Sequence, residues 1–345
     1  MSVKIGIIGC GKIAQVRHIP EYLANPNAEV YGFYDINPDR AKELARKYNG
    51  KAYPTWEAML SDPEITAVSV CAANHVHGEI TVAALRAGKH VLCEKPMAIS
   101  LEECEAMVKT AEASGKYLMI GQNQHLAGAH VKAKELIARG EIGRVLTFRT
   151  TFGHSGPESW SIDPGSNVWF FDKSKAAMGV MADLGIHKTD LIQYLLGSRI
   201  VKVQAMLTTL DKKDAAGNPI GVDDNAICIY QMENGVTGTM TASWTYYGAE
   251  DNTTVIYGTK GELRLYDDPV YSLRQINADG TRIDYCLDRI QTNDNQTASG
   301  VIDQFIACLT EGKEPEISGK NVLHAMKAVF AAIESSDRGR MVEIR

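Results

Sequence analysis

From residue 3 to residue 120, short apolar runs alternate with amphipathic segments. Continuous apolar runs of this length are typical of strands buried on both faces of a parallel sheet, and the segments between them predict the connecting helices. Two helix starts carry capping signals, because Asn37 is followed by proline and Ser100 is followed three positions later by Glu103. Gly50 is expected to close the helix that starts at Asn37. The predicted strands, in a sheet of about six, are residues 3–8, 29–34, 67–72, 90–94 and 117–120.

The pattern changes after Gly121. Residues 201–285 show the alternation of antiparallel strands. Within them, Glu233-Asn234-Gly235 predicts a type I′ turn, and the two glycines of Gly258-Thr-Lys-Gly261 predict a second hairpin. The helices predicted around these strands are residues 131–139, 182–196, 300–311 and 321–336.

These patterns predict an α/β protein with two domains, for which a chain of 345 residues is long enough. Residues 1–121 form an N-terminal Rossmann dinucleotide-binding domain. Residues 122–345 form a C-terminal α+β domain for substrate binding and oligomerisation, with a large open, mainly antiparallel sheet. Apolar residues alternate along strands 228–232 and 236–244, so one face of that sheet needs a cover, which predicts a homodimer or homotetramer.

Composition and charge exclude several classes of function. The net charge of −6 argues against nucleic acid as a partner, because nothing would neutralise its phosphates. The sequence has no apolar stretch long enough to cross a membrane, and its first residues run into a strand without the features of a signal peptide. The seven cysteines are scattered, with no Cys-x-x-Cys, which is typical of reduced, mostly buried thiols. We therefore expect a cytoplasmic protein whose partner is a small molecule.

The segment Gly9-Cys10-Gly11-Lys12-Ile13-Ala14 matches the G-x-G-x-x-A fingerprint of dinucleotide binding, after a predicted strand and at the start of a predicted helix. Gly9 permits the tight turn, Gly11 lets the backbone approach the pyrophosphate, and Ala14 allows close packing of helix and strand. The first N–H groups of the helix and the positive end of its dipole then face the phosphates. A glycine turn without a ligand is the alternative.

Asp35 ends the second predicted strand, where an acidic residue binds the adenosine ribose hydroxyls. A 2′-phosphate at this position would meet a like charge, so NAD is preferred over NADP. Arg40 is close enough in the sequence to leave NADP open. Asp35 could also serve only as a turn former at the end of the strand.

Polar residues follow the next two long strands at the carboxyl edge of the predicted sheet, which is where open α/β sheets bind ligands. Asn74 and His77 lie after the first of them, and Glu94-Lys95-Pro96 lies after the second. The proline restricts the backbone, so the Lys95 ammonium can be directed into the nicotinamide crevice. Asn74, His77, Glu94 and Lys95 are therefore candidate cofactor-binding residues. A solvated surface lysine is the alternative for Lys95.

Asp183, His187 and Asp190 fall at helical spacing and are predicted to share one helix face. Carboxylates beside an imidazole can orient it and raise its basicity, which suits a general base. Aspartate and histidine at this spacing can also bind a metal, but no further ligands of suitable spacing accompany them, so no metal is predicted. The third interpretation is a structural helix face whose acids interact with the helix dipole.

Together, G-x-G-x-x-A, Asn-x-x-His, Glu-Lys-Pro and Asp-x-x-x-His-x-x-Asp resemble the Gfo/Idh/MocA oxidoreductases, which include glucose–fructose oxidoreductase and inositol dehydrogenase. The resemblance extends over the whole chain. It implies that Lys95, Asp183 and His187 form the catalytic triad, that Asp190 supports them in the substrate site, and that Asn74 and His77 lie on the nicotinamide side. Two segments depart from the family pattern: Ala177-Met178-Gly179 before the Asp/His helix, and His125, where many relatives carry arginine.

The predicted activity is an NAD-dependent hydride transfer to or from a hydroxyl-bearing carbon of a sugar, a sugar derivative or a cyclitol. His187 takes the hydroxyl proton, and Lys95 stabilises the same oxygen. Trp160, in the loop over residues 154–168, is a candidate platform for the apolar face of a sugar, with ordinary packing as the alternative. Two other functions stay open: redox-assisted cleavage of a glycoside, and a non-catalytic NAD-binding sensor.

Overall fold

The computed structural model describes residues 2–290 and 298–344. Six parallel strands form the first sheet in the order β3-β2-β1-β4-β5-β6, which confirms the predicted Rossmann architecture. Because the strand order reverses between β1 and β4, the connections that leave these two strands cover opposite faces and open a crevice at their carboxyl ends. The strands are β1 Val3–Ile8, β2 Ala28–Tyr34, β3 Lys51–Ala52, β4 Ala67–Val70, β5 His90–Cys93 and β6 Leu118–Ile120.

Helices on both faces bury these strands, and their caps follow from the sequence. The Asn37 side chain accepts hydrogen bonds from two backbone N–H groups of the first turn, and Ser100 accepts one from the backbone N–H of Glu103, as predicted. Gly50 closes its helix by donating to Ala45 O at 2.8 Å. The helices are α1 Ile19–Ala24, α2 Pro38–Lys47, α3 Trp56–Leu60, α4 His77–Arg86 and α5 Leu101–Ser114, with a π-helical segment Ala14–His18 leading into α1.

The second sheet has nine strands in the order β14-β13-β12-β11-β7-β10-β9-β8-β15. Only the β7–β10 pair among these described strands is parallel, which confirms the mainly antiparallel sheet. The strands are β7 Val145–Gly153, β8 Ile200–Thr208, β9 Asn225–Met232, β10 Thr237–Ser243, β11 Thr254–Gly258, β12 Gly261–Leu265, β13 Leu273–Asn277, β14 Arg282–Tyr285 and β15 Val342–Glu343. The helices of this part are α6 Gly128–Ala138, α7 Lys173–Ala176, α8 Ile186–Leu196, α9 Val301–Glu311 and α10 Gly319–Arg338.

Of the two hairpin predictions for this sheet, one is confirmed and the other is wrong in its turn type. Gly258 pairs with Gly261 across the β11–β12 turn, as predicted. The type I′ turn predicted between β9 and β10 is wrong, because Gly235 has a φ of 84° but Asn234 does not have a positive φ. A type I′ turn needs a positive φ at both central residues. The hairpin itself forms, with Met232 N donating to Val236 O at 2.8 Å.

The C-terminal segment returns to the first sheet. Ile120 N, at the end of β6, donates to Ile317 O at 3.0 Å, and α10 then packs against α5. Glu21 in α1 accepts hydrogen bonds from the backbone and the hydroxyl of Ser299, both at 2.8 Å. These contacts fix the second sheet relative to the first, so the crevice of the Rossmann sheet faces residues of both parts. The domain division after residue 121 stays a prediction.

Two further observations concern the cysteines and the possibility of a membrane-spanning helix. All seven cysteines are free thiols, and all except Cys286 are buried, which matches the expected thiol state. Within residues 2–290 and 298–344, no helix is both long enough and apolar enough to span a membrane.

Candidate functional site

A cavity of about 530 Å³ lies between the part of the protein that contains the six-stranded sheet, here called the first part, and the part that contains the nine-stranded sheet, the second part. The first sheet contributes the glycine loop after β1 and the segments that follow β2, β4 and β5. The second part contributes residues of the loop over 152–170 and of the π-helical turn Met181–Gly185 with the start of α8. The predicted site residues that line this cavity are Gly9, Gly11, Lys12, Ile13, Asp35, Asn74, His77, Glu94, Lys95, Trp160, Asp183 and His187.

The glycine loop has the shape that a diphosphate requires. Gly9 has a φ of 91°, and a Cβ atom there would lie 2.6 Å from the backbone nitrogen of Ala72. A Cβ atom on Gly11 would meet no atom of the described residues within 4 Å, so this side of the loop opens toward the cavity. Ala14 is fully buried behind the loop, where it packs in the core instead of lining the cavity. The loop therefore leaves backbone N–H groups and free space at a helix start.

Asp35 joins the end of β2 to this loop. Its Oδ2 atom accepts a hydrogen bond from Cys10 N at 2.7 Å, and its Oδ1 atom accepts one from Asn37 N at 2.8 Å. Ile36 follows directly and is 93% exposed while it lines the cavity. An anchored carboxylate beside an exposed apolar side chain fits a ribose with an adenine ring next to it.

Lys95 and Asp183 bring the two parts of the site together. Lys95 Nζ donates hydrogen bonds to Asp183 Oδ1 at 2.7 Å and to the Asp183 carbonyl at 3.0 Å. Trp244 Nε1 donates to Asp183 Oδ2 at 3.0 Å. Burial alone would raise the pKa of the Asp183 carboxyl, but the charge of Lys95 and these hydrogen bonds bring the pKa below its usual value. Asp183 is therefore a carboxylate that holds the Lys95 ammonium at the cavity.

His187 lies on the same side of the cavity and is 6% exposed. Burial lowers the pKa of its imidazole well below the ordinary value, and the positive charge of Lys95 lowers it further. The prediction that flanking carboxylates raise the basicity of His187 is wrong, because Asp183 bonds to Lys95 and Trp244 instead. The ring is neutral at neutral pH and can accept a proton.

Asp183, His187 and Asp190 do not share one helix face as predicted. Asp183 and His187 line the cavity, whereas Asp190 does not. The helix widens to a π-helical turn over Met181–Gly185, so four residues span less than one turn there. Asp190 is buried outside the cavity lining, with Oδ2 lying 2.5 Å from His125 Nε2. The His125 ring in turn stacks on Tyr194 at 4.1 Å between centroids. The direct substrate contact predicted for Asp190 does not fit this position.

Glu94 pairs with a histidine that the sequence did not single out. His18 Nε2 lies 2.8 Å from Glu94 Oε1 and His18 Nδ1 lies 3.2 Å from Ser69 Oγ, all in a buried environment. Burial raises the pKa of Glu94, but the hydrogen bond and charge of His18, with the charges of Arg17 and Lys95, lower it to about 2. His18 ends the π-helical segment before α1, so the dinucleotide helix braces the Glu94-Lys95 segment.

Asn74 and His77 hold the segments around the cavity. His77 Nδ1 lies 2.8 Å from Pro96 O, and its Nε2 lies 3.0 Å from Ala72 O, so the ring links the segments after β4 and β5. Asn74 Nδ2 donates to Ala176 O at 3.2 Å, across to the second part. Their cofactor contacts stay a prediction, and the structure adds a positioning role.

Aromatic rings form one wall of the cavity. Trp160 packs edge-to-face against Phe170 at 5.2 Å between centroids, and Phe170 stacks on Trp169 at 3.9 Å. His154, buried next to Trp160, was not singled out from the sequence, because a lone histidine in a loop carries no pattern. Burial lowers the pKa of His154, so it is neutral beside Asp183 and Lys95.

Two family models match the chain. Residues 3–122 match the oxidoreductase family with an NAD-binding Rossmann fold, and residues 130–264 match the GFO/IDH/MocA C-terminal domain. The chain belongs to the Gfo/Idh/MocA family of oxidoreductases. The family assignment confirms the predicted resemblance, an oxidoreductase function and NAD as the cofactor, for which the glycine loop and Asp35 provide a fitting site.

Relatives within this family include two named dehydrogenases. The chain is 33% identical to levoglucosan dehydrogenase of Pseudarthrobacter phenanthrenivorans over 249 residues, which are 66% of this chain and 63% of that protein, less than two thirds of its length. It is 26% identical to myo-inositol 2-dehydrogenase of Thermotoga maritima over 349 residues, 99% of this chain and 98% of the relative. Its fold matches the structure of levoglucosan dehydrogenase in complex with NADH and levoglucosan with a TM-score of 0.88, at 27% identity and 100% coverage of both chains.

Proposed function

We propose that this Gfo/Idh/MocA protein is an NAD-dependent dehydrogenase that acts on a hydroxyl-bearing carbon of a sugar, a sugar derivative or a cyclitol. The observation that carries the proposal is that the Lys95 ammonium, held by Asp183, and the neutral His187 imidazole line the same cavity as the glycine loop. The names of the relatives, levoglucosan dehydrogenase and myo-inositol 2-dehydrogenase, support this substrate class.

The proposed cofactor site uses the residues that the sequence predicted. The loop Gly9, Gly11, Lys12 and Ile13 holds the pyrophosphate, with Ala14 packed beneath it, and Asp35 binds the adenosine ribose. Lys95 and Asn74 lie toward the nicotinamide. Bound NAD would supply the hydride acceptor for oxidation or the hydride donor for reduction. The protein therefore has to position the substrate carbon and to move the hydroxyl proton.

Two side chains divide the proton chemistry. His187 takes the hydroxyl proton during oxidation and returns it during reduction, which contributes a factor of about 10²–10⁴ to the rate. Lys95 donates a hydrogen bond to the same oxygen and stabilises its developing negative charge. Asp183 keeps the ammonium in place.

The substrate lies, in this proposal, between these groups and the aromatic wall. Trp160 offers a ring face to the apolar side of the sugar, while Lys95, Asp183 and His187 bind its hydroxyls. Asp190 supports the site through His125.

The test is a panel of inositols, anhydro sugars, glucosides and keto sugars with NAD⁺ or NADH, followed by NADH absorbance. Turnover that is lost in Lys95→Ala and His187→Ala supports the proposal. Tight NAD binding without turnover of any substrate would identify a sensor instead. Release of free sugar from an aryl glycoside without net NADH would identify redox-assisted glycoside cleavage.

The assembly and the location of the protein are also proposals. Ile227 and Ile229 in β9 are 47% and 49% exposed, and Met206, opposite Ile227 in β8, is 61% exposed. This exposed apolar face supports a homodimer or homotetramer through the second sheet. A monomer in light scattering at micromolar concentration would contradict it. The seven free cysteines support a cytoplasmic location.

A further inference from the structure

An ion pair connects the loop of the second part to the cofactor end of the cavity. Arg40 Nη2, in the first turn of α2, donates to Asp163 Oδ2 at 2.9 Å and to Oδ1 at 3.3 Å. Arg40 Nη1 lies 3.7 Å from Asp35 Oδ1. All three residues line the same cavity, although 123 positions separate Arg40 from Asp163. The Arg40 guanidinium is therefore held between carboxylates from both parts of the protein.

The two carboxylates differ in how they are held. Asp35 is 8% exposed and is anchored by the backbone N–H groups of Cys10 and Asn37. The Asp163 side chain is 79% exposed, and its side-chain contact is with Arg40. Arg40 offsets one of the two carboxylate charges, so the cluster of Asp35, Arg40 and Asp163, here called the corner, has one net negative charge.

This corner is where NAD and NADP differ. Asp35 marks the position of the ribose hydroxyls, and a nearby arginine is the group that accommodates a 2′-phosphate. The fork of N–H donors on Arg40 would bind a phosphate in two places, but Asp163 already occupies the Nη2 side of that fork. A 2′-phosphate must therefore displace Asp163 and approach two carboxylates, whereas a free hydroxyl leaves the ion pair intact.

We propose that Asp163, on a loop of the substrate-binding part, is a specificity-determining residue for the cofactor that favours NAD over NADP by occupying Arg40. The inference rests on the proposed position of the dinucleotide. It adds a determinant outside the Rossmann domain, so a change in the substrate loop also changes cofactor choice.

The test measures binding and needs no sugar substrate. Asp163→Asn keeps the size of the side chain and removes its charge. Titration calorimetry of the whole protein with NAD⁺ and with NADP⁺ should show the affinity for NADP⁺ rising about three- to tenfold, while the affinity for NAD⁺ changes less than about twofold. The gain should become smaller at high salt, because an exposed charge is screened.

Two variants serve as controls. Asp39→Asn removes an exposed carboxylate from the same turn of α2, where Asp39 pairs with Lys42, and should leave the NADP⁺ to NAD⁺ affinity ratio unchanged. Adding Arg40→Leu to Asp163→Asn should abolish the gain, because the phosphate loses its donor. The proposal is overturned if Asp163→Asn leaves the NADP⁺ to NAD⁺ affinity ratio unchanged, or if Asp39→Asn raises that ratio equally. Either result would say nothing against the proposed cofactor site. A wild-type protein that binds neither dinucleotide overturns the cofactor site instead.

Discussion

Trp244 Nε1 donates a hydrogen bond to Asp183 Oδ2 at 3.0 Å, on the carboxylate oxygen opposite the one that binds Lys95. Trp244 is fully buried at the end of β10, and Asp183 belongs to the π-helical turn before α8. The sheet and the helix of the second part therefore both fix the group that positions Lys95, a residue of the first part.

Replacing Trp244 by phenylalanine tests this relationship. The change keeps an aromatic ring but removes the N–H donor, so Asp183 loses one of its anchors. We expect kcat/KM for the substrate to fall about ten- to hundredfold, because a hydrogen bond to a charged group contributes about 1.5–3 kcal/mol. The NAD⁺ dissociation constant should stay the same. Phe171→Leu, next to Trp244 and with no hydrogen-bond donor in its side chain, controls for lost packing. Equal losses in both variants would contradict a specific role of the N–H group.

The pH dependence of oxidation tests the state of His187. The base must be neutral to accept a proton, and burial places the pKa of His187 well below 6.5. Activity is therefore present above the lowered pKa and is lost only as the pH falls through it. We expect kcat/KM to stay constant from neutral pH to below pH 6.5. A decline with a midpoint at or above the ordinary histidine pKa would show that His187 is not the base or is not buried in this way.

The two glycines of the fingerprint should respond differently to alanine. Gly11→Ala places a methyl group in open space, so the melting temperature should not change. NAD⁺ binding should weaken at least about tenfold, because the methyl group would occupy the proposed pyrophosphate position. Gly9→Ala meets backbone at 2.6 Å with a φ of 91°, so it should lower the free energy of unfolding by about 1–3 kcal/mol. Thermal unfolding and NAD⁺ titration of both variants distinguish the roles. Normal NAD⁺ affinity in Gly11→Ala would remove the loop from the cofactor site.

Lys188 gives a prediction for stability. Its side chain is fully buried and Nζ donates to Asn252 O at 3.1 Å, and burial lowers its pKa to about 7. The unfolded chain binds this proton up to about pH 10.5, so the folded state is destabilised below that pH, most strongly at and below pH 7. We expect Lys188→Met to raise the free energy of unfolding at pH 7 by about 1–4 kcal/mol. The difference from the wild type should shrink toward pH 10, as measured by urea unfolding. A difference that does not change with pH would contradict the lowered pKa.

Local sequence patterns were sufficient to predict the six-stranded sheet and the glycine loop that follows its first strand. Apolar runs, the caps at Asn37 and Ser100, and the glycine fingerprint each act within a few residues, so their outcome depends little on the rest of the chain. The same reasoning selected Lys95, Asp183 and His187, because their motifs have short, fixed spacings. The turn at Asn234-Gly235 went wrong where two turn types share one sequence signal.

The sequence by itself determined that this protein has a Rossmann sheet, a glycine loop with the dinucleotide-binding fingerprint, and an amine and an imidazole at strand and helix ends. Only the tertiary structure decided which polar side chains meet: Lys95 with Asp183, Asp190 with His125, Glu94 with His18, and Arg40 with Asp163. These pairs join residues far apart in the chain. A carboxylate can raise the basicity of a histidine or hold a lysine, and distances of a few ångströms together with burial decide between the two. The spacing of residues along the sequence encodes neither these distances nor the burial.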